Sequence, residues 1–119
     1  MDSSAEALDR EFLGELLDGD RQFAWELFLA FREASSHWLE KARVACTEGN
    51  SGQATQAFHS LKGSAGSVGL ERLRGLAGRC EGLSKEGALS ECLSLFSALE
   101  VAAEQGREHL AAYLDGMSG

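Results

Sequence analysis

One histidine in this chain lies where its ring can do chemistry. His59 falls in residues 57–70, which run Ala-Phe-His-Ser-Leu-Lys-Gly-Ser-Ala-Gly-Ser-Val-Gly-Leu. If this segment is an α-helix, six apolar residues gather on the side opposite the histidine. They are Ala54, Ala57, Phe58, Leu61, Ala65 and Val68. The pattern therefore predicts an imidazole that points away from the core, as a titratable nucleophile that another macromolecule can reach.

The helical neighbours of His59 are small or cationic. Thr55, Lys62, Gly63 and Gly66 fall within about 60° of it on the helical wheel. Lys62, three residues further on, is predicted to place a positive charge beside the ring. A glycine inside a helix costs roughly 1 kcal/mol relative to alanine. Local sequence that opposes its own secondary structure is typical of functional sites, so the pattern favours a functional histidine over a merely solvated one.

Other catalytic patterns fit the sequence less well. Three glycines follow His59 with G-x-x-G-x-x-G spacing, which is neither the dinucleotide fingerprint nor a P-loop. Serines lie near His59, but the sequence identifies neither an orienting acid nor an oxyanion hole for a catalytic triad. The carboxylates are scattered, and no spacing of histidine, cysteine or acidic residues predicts a metal site. We therefore expect the chain to bind no metal or cofactor of its own.

Charge is distributed unevenly along the chain. The 119 residues carry a formal net charge of −8, which argues against nucleic acid or an anionic membrane as the main partner. From His59 to Lys85, five basic and two acidic residues give +3, so the remainder carries −11. The histidine thus lies in the basic part of an acidic chain. The basic segment is either ordinary surface charge or a surface that binds a partner.

The three cysteines and the apolar runs bear on location. Cys46, Cys80 and Cys92 are odd in number and form no C-x-x-C pair, which favours reduced, buried thiols over a disulfide framework. There is no apolar run of about 18 residues, and the N-terminus lacks the basic and apolar regions of a signal peptide. These features predict a cytoplasmic protein with no membrane association.

The predicted fold is all-α. The chain contains no proline, no stretch alternates with period two, and glycines separate the amphipathic segments. We predict one domain over residues 1–119, with a short first helix whose inward side chains are Leu8, Phe12 and Leu16. Short loops between long helices imply an antiparallel up-down-up-down four-helix bundle, with the short helix across one end. The predicted helices cover approximately residues 5–17, 21–46, 51–68, 70–84 and 88–114.

The run from His59 to Ala65, followed by Val68-Gly69-Leu70, resembles the signature of histidine phosphotransfer (HPt) domains. These are helical-bundle carriers in bacterial multi-step phosphorelays, a form of two-component signal transduction. Residues 76–83 resemble the family's next helix, and residues 19–31 its long helix before the histidine. Phe58 departs from the family, which more often has a small residue there. The chemotaxis-kinase version tends to have another His followed by Glu where this chain has Arg79-Cys80-Glu81, so the resemblance favours an ordinary relay domain.

The resemblance implies a phosphoprotein that acts as a carrier and not as a self-sufficient enzyme. His59 would accept a phosphoryl group from a receiver-domain aspartate and pass it to another receiver aspartate. Lys62 would stabilise the added negative charge. The residues predicted to serve receiver docking are Gly63, Gly66, Thr55 and Phe12.

The resemblance also implies partners. Response-regulator receiver domains and a hybrid sensor histidine kinase are expected, with Mg²⁺ and the catalytic acids supplied by the receiver, and the chain itself is expected to be a monomer. A second hypothesis is a helical adaptor that binds a partner protein without phosphate, through an apolar patch around Phe12. Such an adaptor would have no need of an exposed histidine with lysine at i+3.

Overall fold

The structure is a computed structural model that describes residues 8–117, so predictions for residues 1–7 and 118–119 lie outside it. The described part consists of helices joined by short connections, with one isolated β-bridge. The helices are α1 (Arg10–Leu17), α2 (Arg21–Thr47), α3 (Ser51–Ser67), α4 (Glu71–Lys85), α5 (Leu89–Ser94) and α6 (Phe96–Asp115).

The long helices close into a four-helix bundle. Helix α3 packs between α2 and α4, and the pair α5 and α6 together occupies the fourth position, against both α2 and α4. Helix α1 contacts the start of the bundle through α2. The fold is therefore the predicted all-α, up-down-up-down bundle with a short additional N-terminal helix. Among the described helices, none is both long and apolar enough to span a membrane.

Three helices begin at polar residues that satisfy free backbone N–H groups. The carboxylates of Asp9 and Asp20 each accept a 3.0 Å hydrogen bond from the backbone N–H three residues on, at the starts of α1 and α2. The side chain of Asn50 does the same for Gln53 at the start of α3. These N-caps fix where each helix starts, because an uncapped first turn leaves donors without partners.

The first helix is shorter than predicted and presents a different face. Leu8 forms an isolated antiparallel bridge with Leu70, and the Asp9 N–H donates to the Gly69 carbonyl at 2.8 Å, so the helix starts only at Arg10. Leu13 and Leu17 are buried, whereas Phe12 and Leu16 are each 38% exposed. The prediction that Phe12 and Leu16 face the core was therefore wrong. Leu8 is buried as predicted, but it lies in the bridge before the helix, so it does not determine which face of the helix is buried.

The last predicted helix, 88–114, is two helices in the structure. Leu95 separates α5 from α6, and its N–H donates to the carbonyl of Cys92 at 3.0 Å, three residues back. This tighter turn interrupts the i to i−4 ladder and allows the chain to change direction. Cys92 and Phe96, on either side of the break, both remain buried. The interruption has no glycine or proline to signal it, and the sequence prediction missed it.

The core side of α3 is as predicted. All six residues of its apolar stripe are at most 2% exposed. Phe58, the departure from the HPt pattern, is fully buried, and its ring centroid lies 6.0 Å from that of Phe96 on α6. The bulky residue thus fills space between α3 and the fourth bundle position. Helix α3 is held by its buried side, which leaves the opposite side free to carry His59.

Candidate functional site

His59 lies near the middle of α3 on its solvent side. Its side chain is 68% exposed, as the helical wheel predicted. The neighbouring residues Ala57 and Phe58 are buried, so the backbone that carries the ring is anchored in the core. The imidazole is therefore an accessible group on a fixed support, and it does not need to move out of the core to meet a partner.

A carboxylate from the next helix binds one nitrogen of this ring. Glu81 on α4 places Oε2 3.0 Å from His59 Nδ1. The Glu81 side chain is only 10% exposed, in contrast to the ring it contacts. An ionised carboxylate can only accept hydrogen bonds, so Nδ1 carries the proton and donates it to Glu81. The remaining nitrogen, Nε2, then keeps its lone pair available for reaction.

Two lysines share the same carboxylate. Lys62 Nζ lies 2.7 Å from Glu81 Oε1, and Lys85 Nζ lies 3.7 Å from Oε2. The hydrogen bond from Lys62 lowers the pKa of Glu81 below its ordinary value, and the hydrogen bond from His59 acts in the same direction. Burial alone would raise this pKa, but the bonded cation outweighs it. Glu81 is thus held as a carboxylate by its partners.

The ammonium group of Lys62 has a partner that the sequence did not reveal. The prediction placed Lys62 beside the ring, with its positive charge available to stabilise a phosphoryl group. In the structure its side chain crosses to Glu81 and remains 37% exposed. The lysine stem passes close to Gly78 on α4, where a β-carbon would lie 3.3 Å from Lys62 Cδ. Any larger residue at position 78 would press on the lysine stem.

The two glycines after His59 differ in their surroundings. A β-carbon at Gly63 would meet no described atom within 4 Å, so the space beside the ring is open. A β-carbon at Gly66 would lie 3.1 Å from Arg74 Cδ, because the arginine stem covers this residue. Gly63 therefore leaves free surface next to His59, whereas Gly66 leaves room for a neighbour on α4.

The remaining docking candidates lie further from the ring. The Thr55 hydroxyl donates to the Ser51 carbonyl and is 2.8 Å from Ser84 Oγ, so it already joins α3 to α4. Phe12 lies beside Gly69, where a β-carbon would be 3.1 Å from Phe12 Cδ2. Gly69 has φ +71°, a conformation that strains other residues, and the close phenyl ring adds a steric reason for glycine. From His59 to this end of the helix is about 15 Å.

The cysteines do not contribute a second reactive group. None of the three is in a disulfide, and all are buried. Burial raises the pKa of Cys46 to about 11 and that of Cys80 to about 12, so both remain thiols at neutral pH. The Cys92 thiol donates to the Cys80 carbonyl at 3.4 Å. Within residues 8–117, no group of three or more histidine, cysteine or acidic side chains is arranged to hold a metal ion.

Glu81 is the residue of this site that the sequence prediction missed. It was treated as part of a solvated, scattered set of acids, yet it lies among the core-facing residues of α4. Ala77, Cys80 and Ser84, all within four positions of it, are fully buried. An acid at such a position is rarely buried unless it is paired, and this was the available signal. The identity of its partner depended on the register between α3 and α4, which the sequence alone did not supply.

Comparison with known proteins agrees with this geometry. A family model described as Hpt domain matches residues 26–116. The chain belongs to the Hpt domain family. This membership gives it a histidine phosphotransfer role in a phosphorelay, with receiver domains and kinases as the expected classes of partner. Members of this family carry phosphoryl groups and are not enzymes in their own right.

A solved structure shows the same fold. The crystal structure of histidine-containing phosphotransfer protein B (HptB) from Pseudomonas aeruginosa PAO1 is similar to this Hpt domain, with a TM-score of 0.85 and 21% sequence identity. The match covers 92% of this chain and 95% of that chain. At this identity the likeness concerns the fold alone. Comparison with curated proteins gives no significant match.

Proposed function

We propose that His59 is the phosphoryl-accepting residue of this Hpt domain and that its Nε2 atom is the nucleophile. The observation that carries the proposal is the pairing of an exposed ring with a buried carboxylate at 3.0 Å. Glu81 fixes the tautomer and the orientation of the ring, so the lone pair on Nε2 faces solvent. A positioned nucleophile whose other nitrogen is held by an orienting group is the general arrangement of activated histidines.

The donor and the acceptor in this proposal are both aspartates of receiver domains. The Nε2 lone pair attacks the phosphorus of a phospho-aspartate, and the P–O bond electrons return to the aspartate carboxylate. The reverse step delivers the group to a second receiver. Lys62 binds the same carboxylate as the ring, and it would stabilise the added negative charge by exchanging Glu81 for the phosphoryl oxygens.

Phosphoryl transfer also needs charge neutralisation and positioning of the leaving group. We expect Mg²⁺ and the catalytic acids to come from the receiver. The open surface at Gly63 lets the receiver's active site approach the ring. Gly66, Thr55 and Phe12 remain predictions for receiver docking.

The test is transfer from a phosphorylated receiver to three forms of the chain: wild type, His59→Gln and His37→Gln. His37 is an exposed histidine on α2, so it controls for loss of a surface imidazole. We expect wild type and His37→Gln to become labelled equally and His59→Gln to remain unlabelled. The label should be lost in acid and stable in alkali, as a phosphoramidate is.

Labelling of His59→Gln at the wild-type rate would refute the assignment. If no receiver in a broad panel transfers phosphate to wild type, while a partner still binds both wild type and His59→Gln, the adaptor hypothesis replaces it. Phe12 and Leu16, both 38% exposed, are the first residues to substitute in that case.

A further inference from the structure

The Glu81–His59 contact has a consequence for the phosphorylated protein, and this inference rests on the proposed function. When Nε2 forms a bond to phosphorus, Nδ1 keeps its proton and the ring becomes a cation. The N–P bond later breaks, its electron pair returns to Nε2, and the ring leaves as neutral imidazole. If Nδ1 had lost its proton first, the leaving group would be an imidazolate anion, which is a far poorer one.

We propose that Glu81, through its charge as well as its hydrogen bond, keeps the phosphorylated ring of His59 protonated and therefore ready to return its phosphoryl group. The carboxylate lies 3.0 Å from the proton-bearing nitrogen and is itself shielded from solvent. An opposite charge at such a distance favours the charged form of a group. Because the ring is exposed, solvent screens part of this effect.

The other charged groups around His59 either oppose protonation of the ring or make no direct contact with it. Lys62 on the same helix and Lys85 on α4 both bind Glu81, and both repel a cationic ring. On the α2 side, His37 and Lys41 line a groove together with Gln56 of α3. Within the described residues, neither has a hydrogen bond or ion pair to His59. Glu81 is thus the acid that favours a protonated ring, and Lys62 and Lys85 limit its effect.

Glu81 acts on the ring both by its hydrogen bond and by its charge, and a substitution can separate these two effects. A neutral amide at position 81 could still accept the Nδ1 proton through its oxygen and so preserve the tautomer. It would not supply the negative charge that favours the phosphorylated, cationic ring. Glu81→Gln should therefore still accept a phosphoryl group. Its phosphorylated ring should lose the Nδ1 proton at a lower pH than in wild type, and above that pH it should return the group more slowly.

The experiment loads ¹⁵N-labelled protein with potassium phosphoramidate and follows the phosphorylated ring by NMR as pH is varied. We expect the protonation midpoint to fall by about one pH unit in Glu81→Gln relative to wild type. The rate of transfer to an unphosphorylated receiver should fall tenfold, measured above both midpoints. Lys85→Gln should shift the midpoint upward, because it removes a competing cation.

The matched control is Glu86→Gln, an exposed residue just after α4 that loses the same charge. It has no hydrogen bond or ion pair to His59 among the described residues, and it should keep the wild-type midpoint. An unchanged midpoint in Glu81→Gln, or equal shifts in both Gln variants, would overturn the proposal. If Glu81→Gln does not fold, a wild-type midpoint in Lys85→Gln would overturn it instead. Failure of the proposed function is distinguishable, since it would appear as a wild type that no phosphorylated receiver can label.

Discussion

At the scale of single residues, the site is a cluster in which one buried carboxylate contacts three side chains. Glu81 accepts hydrogen bonds from His59 and Lys62 and forms a longer ion pair with Lys85, whose Nζ lies 3.7 Å away. The arrangement neutralises a buried charge that would otherwise be costly. The cluster fixes the ring without covering it.

Replacement of Lys62 by alanine should slow phosphoryl transfer with a modest loss of stability. The lysine is more than a third exposed, so its ion pair is partly screened by solvent, but it is the strongest partner of a buried carboxylate, and the free energy of unfolding should fall by about 1 kcal/mol. Its charge matters more once a dianionic phosphoryl group is on the ring. Rapid-quench transfer kinetics and urea unfolding provide the two measurements.

Lys41→Ala is the control for the Lys62 prediction, because Lys41 is an exposed lysine on α2 outside the cluster. It should leave both transfer and stability unchanged. Equal transfer rates in Lys62→Ala and wild type at low salt would show that Lys62 acts only as a structural partner of Glu81.

The residue-scale chemistry could be predicted from the sequence only in part. His59 and Lys62 could be proposed from the sequence because their positions on one helix follow from helical periodicity. Glu81 was not found because its role depends on how α3 and α4 are aligned, and twenty-two residues separate it from the histidine. Contacts between elements that are distant in sequence are set by packing, which periodicity does not encode.

At the scale of elements, one side of α3 is buried in the core, whereas the opposite side carries Gly63, a residue that lowers the stability of the helix. Gly63 lies within the helix, and a β-carbon there would meet no described atom within 4 Å. Gly63→Ala should therefore raise the free energy of unfolding by up to about 1 kcal/mol, because alanine restricts the unfolded chain and favours the helix. Gly63→Gln should keep much of this gain but obstruct the approach of a receiver to the ring.

Gly75 on α4 offers a matched control for Gly63. It is also helical and exposed, with no described atom within 4 Å of a β-carbon. Gly75→Gln should stabilise the bundle by a similar amount and leave transfer unaffected. The interpretation fails if Gly63→Gln folds and transfers as fast as wild type, or if Gly63→Ala is strongly destabilised.

The element-scale prediction from sequence was accurate where caps and periodicity agreed. The Asn50 cap and the apolar stripe of α3 gave its position within a residue. The prediction failed at Leu8, which pairs with Leu70 across the chain, and at Leu95, where an ordinary leucine interrupts the helix. The first depends on a contact between residues distant in sequence, and neither exception has a glycine or proline that would signal it.

At the scale of the whole molecule, the bundle is shared with a structure of only 21% identity. The fold therefore depends on where apolar residues occur and much less on which ones they are. Phe58 illustrates this, since a large side chain is accommodated against Phe96 without moving the histidine out of solvent.

The uneven distribution of charge over the whole chain predicts that the rate of phosphoryl transfer depends on salt. The segment from His59 to Lys85 carries +3 in a chain of net −8. A receiver active site that holds Mg²⁺ through acidic residues should be attracted to this segment and repelled by the rest. The second-order rate of transfer should fall as NaCl is raised from roughly 50 to 500 mM, because the Debye length shortens. A rate independent of salt would indicate that the basic segment is ordinary surface charge.

The most direct test of the central claim is to identify the phosphorylated atom. The ¹⁵N-labelled chain is phosphorylated by a receiver, and the nitrogen bonded to phosphorus is assigned from ¹⁵N–³¹P couplings and ring proton correlations. We predict one phosphohistidine per chain, at His59, with phosphorus on Nε2, because Nδ1 is bound by Glu81. Phosphorus on Nδ1 of His59, or on His37 or His109, would contradict the account.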